Sequence, residues 1–123
     1  MVTRTLISKL VQDISHLYPA KNVKDLIRSL GGTLCIASND ILESGIMRHN
    51  DSFQICVSPH LDQKNTDYLI SYELGHLFLH MGYKTCPDLW HKQKNNSFYI
   101  EDNVKKIYEA AQFAFTMLAL FAE

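Results

Sequence analysis

The chain has 123 residues, 46% of them hydrophobic, with 12 basic against 13 acidic side chains and a formal net charge of -1. That length suits one domain over residues 1–123 with an ordinary hydrophobic core, needing neither disulfide nor metal as a staple. No basic cluster stands out along the sequence, which argues against a phosphate-backbone binder and leaves no direct nucleic-acid ligand to expect.

The N-terminal stretch "MVTRTLISKLVQDISHLYP" lacks the continuous apolar core of a signal peptide. Cys35, Cys56 and Cys86 are odd in number and show no C-x-x-C pairing, so three buried, reduced thiols in a cytoplasmic protein are expected. Leu6, Leu10, Val11, Ile14 and Leu17 form a helical stripe that runs out before Pro19. Asn22 can cap a second helix, "VKDLIRSL", and Gly31-Gly32 can stop it. "TLCIA" reads as a buried strand, and "SGIMRHNDSFQICV" as a hairpin turning at Asn50-Asp51. In its second arm Phe53, Ile55 and Val57 alternate with Ser52, Gln54 and Cys56, which predicts one covered and one more open sheet face.

A third helix carries "DYLISYELGHLFLH", residues 67–80, with Asn65 or Thr66 as its cap and Gly82 as its stop. Residues 83–100 turn polar, with Pro87 and "HKQKNNS", and read as a mobile surface loop. The last helix is expected to start near Glu101 and Asp102, acids suited to a helix N-terminus. Its apolar stretch "AAQFAFTMLALFA" falls short of the roughly 20 residues that span a bilayer, so a core helix and no membrane contact are expected. The fold class is α+β, a small antiparallel or mixed sheet packed with about four helices.

The 67–80 stretch carries the chemistry. His-Glu-x-x-His on a helix binds zinc through two histidines on one face, and the glutamate activates a metal-bound water. Here Tyr72 holds the first position, while Glu73 and His76 fill the others. At about 100° per residue, Tyr72, Glu73, His76 and His80 share one arc, opposite Ile70, Leu74, Leu77, Phe78 and Met81. Gly75 costs the helix about 1 kcal/mol and marks a close backbone approach, for which a strand edge is a candidate. From Ile107 to Ala122 the only ionisable acid is Glu109. An isolated carboxylate in an apolar helix needs a cation or a metal, so Glu109 is the candidate third ligand.

"SYELGHLFLH" followed by "YEAAQFAF" resembles the ImmA/IrrE family of metallopeptidases, whose members typically show H-E-L-G-H-x-L-L-H and then an E-A-x-x-F-A helix. The resemblance covers residues 22 to 121. It implies a zincin-like fold whose site lies between the motif helix and the C-terminal helix, with zinc as cofactor. His76 and Glu109 stand in the places of two zinc ligands and Glu73 in that of the general base. It also implies a bacterial or phage protein that acts on a partner repressor. Tyr72 departs from the pattern at the first ligand histidine, and a phenol of pKa about 10 must lose a proton before it binds metal well. His80 lies four residues after His76 and is a possible replacement ligand with Glu109. The helix end "LALFAE" lacks the proline often found there in the family.

Two functions of different classes follow. One is a zinc endopeptidase whose activity is weakened or lost through Tyr72. The other is a catalytically inactive peptidase-fold module that binds a repressor or another protein partner. Without metal, Glu73 and Glu109 are expected to lie close together, with at least one of them titrating upward. The bland reading of Glu73 and His76 is a buried hydrogen-bonded pair. His16, His49, His60 and His91 have no motif context, and Tyr108, Phe113, Phe115 and Phe121 read as core or interface.

Overall fold

Capping fixes where the helices begin. In the computed structural model, which describes residues 3–36 and 43–122, the Thr3 side chain accepts from Leu6 N–H at the start of α1 (Arg4–Leu17). Asn22 does the same for Asp25 N–H at 2.8 Å before α2 (Val23–Ser29). Each cap satisfies one of the donors that a helix N-terminus leaves unpaired. The buried residues of α1 are Ile7, Val11 and Ile14; of the stripe read from the sequence only Val11 and Ile14 are among them, while Leu10 is half-buried and Leu6 and Leu17 are exposed. Gly31, at φ +87°, takes the left-handed turn that glycine adopts without strain, and the chain enters β1 (Thr33–Ile36).

β2 (Ser44–His49) and β3 (Ser52–Val57) form the hairpin, with Asn50 at φ +56° in the turn. The strand order is β1-β3-β2, with β1 parallel and β2 antiparallel to the central β3. Phe53, Ile55 and Val57 are buried with Ile46 beneath the helices, alongside Ile70, Leu74 and Leu77. Cys56, on the opposite face, is also buried, so that face is less open than its alternation suggested. Of the other two thiols, Cys35 is half-buried and Cys86 is exposed, contrary to the expectation of three buried cysteines.

α3 (Gln63–Leu79), α4 (Pro87–His91) and α5 (Val104–Phe121) complete the chain. The described residues thus form an α+β fold of five helices and a three-stranded mixed sheet. α3 starts earlier than expected, because Asp62, not Asn65 or Thr66, is the cap and accepts from Asn65 N–H at 2.8 Å. α3 and α5 pack along their length. Phe78 stacks on Phe113 at 6.2 Å, and Gly75 faces the backbone of Ala110 on α5 instead of a strand edge. Phe113 is fully buried, and burying such a ring contributes about 3 kcal/mol. Among the described residues no helix is long and apolar enough to cross a membrane.

Residues 83–100 are not a plain loop. Trp90 of α4 is buried under the guanidinium of Arg48, which lies 5.3 Å from the ring centroid and donates to the carbonyls of Asn50, Trp90 and Gln93. The chain then runs along the outer edge of β2. Met47 bridges Phe98 antiparallel, Asn96 N–H donates to Arg48 at 2.8 Å, and Tyr99 N–H donates to Ile46 at 2.7 Å. α5 begins at Val104, capped by Asn103, so Glu101 lies outside the helix it was expected to start.

Candidate functional site

α3 brings Tyr72, Glu73, His76 and His80 to one side because they are spaced at one and four residues on a helix of 3.6 residues per turn. β2 supplies Ser44, and the segment before α5 supplies Tyr99 and Glu101. All of these but His80 border a cavity of about 470 Å³ that also reaches Gly45, Leu69 and Phe98.

The polar side chains form one continuous series. Tyr72 donates its hydroxyl to Glu101 Oε1, and His76 Nε2 meets the same oxygen. His76 Nδ1 lies 2.7 Å from His80 Nδ1, and His80 Nε2 lies 3.0 Å from Glu109 Oε1. A carboxylate oxygen only accepts, so His76 carries its hydrogen on Nε2. Neutral imidazole then leaves Nδ1 as an acceptor, which takes Nδ1–H from His80. One further proton is shared between His80 and Glu109. In this way every buried nitrogen of the two rings is satisfied, as burial requires.

Burial disfavours charge on both rings, and the neighbouring carboxylates oppose this effect. Burial lowers the pKa of His76 against the opposing pull of Glu101, and burial lowers that of His80 against Glu109. The Tyr72 hydroxyl is pushed up, first by burial, then by its bond to Glu101 and by the charges of Glu101 and Glu73. Glu73 is 6% exposed and accepts from Ser44 Oγ at 2.5 Å. Burial raises its pKa to about 7, with the charge of Glu101 adding to the rise and the Ser44 bond opposing it. The acid whose charge reaches Glu73 is therefore Glu101, while Glu109 meets His80 one turn further along α3.

The donor set can be tested against zinc. Bonds of about 2.0 Å in a tetrahedral site hold neighbouring donors about 3.3 Å apart, with the ion between them. Here the donors are in direct hydrogen-bond contact: Tyr72 and His76 with Glu101, His76 with His80, and His80 with Glu109. Protons occupy the spaces an ion would need. Tyr72, pushed upward, is a hydrogen donor and not a phenolate. Among the described residues no group of three or more His, Cys, Asp or Glu side chains is arranged to hold a metal ion. In this arrangement the residues do not fit zinc.

Sequence reasoning brought Tyr72, Glu73, His76, His80 and Glu109 to one region, and the structure places all five there. It missed Ser44 and Glu101. Ser44 carries no motif, whereas the run "SFYIE", apolar and aromatic before the acid, was the available sign of an extended segment ending in a buried-side carboxylate. His49, left without a role, bonds Asn96 through Nδ1 at 2.7 Å. No family model matches the chain, and no curated protein matches it.

Proposed function

We propose that the chain is a zincin-like domain of the ImmA/IrrE kind that grips a protein partner, a transcriptional repressor, without cutting it. The observation that carries this reading is the Glu101 carboxylate, bonded by both Tyr72 and His76, in the position where the resemblance puts two zinc ligands. A half-buried tyrosine that donates a hydrogen bond serves recognition well and metal binding poorly. The cavity beside β2 is bordered by Phe98, Tyr99 and Leu69 as well as by these polar groups. Such a mixture of apolar walls and a few convergent polar atoms suits the capture of a peptide segment.

A second reading, a zinc-dependent peptidase, is favoured by Glu73, which keeps the place of the general base and borders the cavity. One preparation separates the two. The dialysed wild-type protein is analysed for zinc and then mixed with a helix-turn-helix repressor encoded beside it. Gripping gives far less than one zinc per chain and an intact repressor that co-elutes on size exclusion. Bound zinc with repressor fragments overturns it in favour of the peptidase, and neither a complex nor fragments removes the repressor as partner.

A further inference from the structure

The outer edge of β2 is covered by residues 95–99 through few backbone bonds, with side-chain bonds of Asn95 to Asn50 and of Asn96 to His49 at one end. In an antiparallel ladder alternate residues turn their backbone groups away from the partner strand, and the bonds that Ile46 and Arg48 accept from Tyr99 and Asn96 show which residues those are. Both bonds use β2 carbonyls. The Ile46 amide, facing the same side, meets no backbone acceptor among the described residues. The covering segment leaves Ile100 81% and Phe98 37% exposed. At its far end it is anchored by Glu101, which receives hydrogen bonds from Tyr72 and His76. Just before it, the Tyr99 ring packs 5.0 Å from the His76 ring. An extended strand paired along the whole edge would satisfy more of β2 than residues 95–101 do, while offering the same carboxylate to the same two donors.

We propose that the β2 edge and the Tyr72–His76 donor pair form a docking site for an extended acidic segment of the partner, and that residues 95–101 are its internal occupant. The segment that fits carries an acid two residues after an aromatic side chain, as Glu101 follows Tyr99. The aromatic lies over His76 and the acid reaches Tyr72. This rests on the gripping function proposed above and names what is gripped. Because one carboxylate replaces another, the exchange leaves the charge beside Glu73 unchanged, and the competition is decided by strand pairing and by local concentration. The internal segment is tethered, so it holds the site against weak ligands and yields to a strand that pairs better.

The test uses an amidated, acetylated peptide with this chain's own sequence from 95 to 102, NNSFYIED, titrated in EDTA into wild type and into Glu101→Ala and followed by amide NMR shifts. Glu101→Ala empties the donor pair. It is expected to bind the peptide about tenfold or more tighter than wild type does, with shifts at β2 and α3. Glutamine in place of the peptide's glutamate, or Tyr72→Phe added to Glu101→Ala, is expected to weaken binding about tenfold, the scale of a lost hydrogen bond to a charged group. Binding indifferent to both changes, or no binding by a folded Glu101→Ala, overturns the proposal. If Glu101→Ala fails to fold, hydrogen exchange of wild type decides. Amides of Asn96 and Tyr99 exchanging at least about tenfold faster than that of Ile55 support a displaceable segment, and equal protection overturns it. A wild type that binds zinc and cuts would defeat the function proposed above but would leave this titration, made without metal, unchanged.

Discussion

Gly75 on α3 lies against Ala110 on α5 so closely that a Cβ added at Gly75 would meet the Ala110 Cα and carbonyl oxygen, each at 3.1 Å. The two helices that carry the polar series are set at this distance by the absence of a side chain. Replacing Gly75 by alanine gains about 1 kcal/mol of helix propensity but pushes against backbone, which yields less readily than a side chain, at a cost of about 1–3 kcal/mol. Gly75→Ala is expected to destabilise the fold by about 1 kcal/mol and to lengthen the His80–Glu109 contact. Urea denaturation measures the first and NMR of the His80 ring the second. An unchanged midpoint would mean that α5 shifts freely.

Tyr72→His puts two imidazoles four residues apart on one helix face. Zinc affinity is expected to rise at least about tenfold over wild type, and more when Glu101→Ala removes the competing carboxylate. Isothermal titration with zinc reads both. Equal affinity in all three proteins would show that positions 72 and 76 do not converge on one point.

Glu73 has its pKa raised by burial from 4.5 to about 7. A raised folded-state value means that the fold holds this proton more tightly than the unfolded chain does. The resulting stability is fully present below about pH 4.5 and is lost as pH rises through about 7. Glu73→Gln keeps a neutral side chain at every pH. It is therefore expected to match wild type near pH 4.5 and to exceed it by up to about 3 kcal/mol at pH 8. His76 and His80, lowered by burial, oppose this trend at low pH in both proteins and cancel in the comparison. Urea midpoints at pH 4.5, 6 and 8 check it, and a constant difference across that range would refute a buried, protonated Glu73.

His80 and Glu109 are each almost fully buried and face one another at 3.0 Å. Removing either one strands the other, at a cost of about 2–4 kcal/mol, and removing both costs less than the sum. A double-mutant cycle of His80→Ala and Glu109→Ala is expected to give a coupling of at least about 1 kcal/mol. Simple additivity would mean that water satisfies both groups.

What the sequence made legible was local or periodic. The α1 helix, the Asn22 cap and the Asn50 turn depend on residues a few positions apart, and each is present, although the buried face of α1 takes Ile7 and leaves Leu6 and Leu17 exposed. The alternation in β3 identified Phe53, Ile55 and Val57 as core. The destination of Glu101 was hidden for the opposite reason: its partners Tyr72 and His76 lie 29 and 25 residues away, and an acid shortly before a helix has an ordinary local explanation. Residues 83–100 misled in the same way. Several of their attachments are main-chain bonds, such as those of the Asn96 and Tyr99 amides to Arg48 and Ile46, which leave no trace in composition, and the side-chain bonds of Asn95 and Asn96 reach partners 45 and 47 residues back. Gly75 signalled a close approach correctly but could not say to which element.

Arg48 joins parts of the chain that come together late. Its bonds to Trp90 and Gln93 span 42 and 45 residues, and the neighbouring His49–Asn96 bond spans 47. The hairpin that holds Arg48 closes over a two-residue turn. Loop-closure entropy makes contacts of long sequence separation slow relative to a hairpin, which forms in about 1–10 μs. The β2–β3 hairpin is therefore expected to form before its outer edge is covered, leaving an interval in which β2 lies open. Whatever meets that edge first, the chain's own continuation or another molecule, meets it as a strand seeking a neighbour.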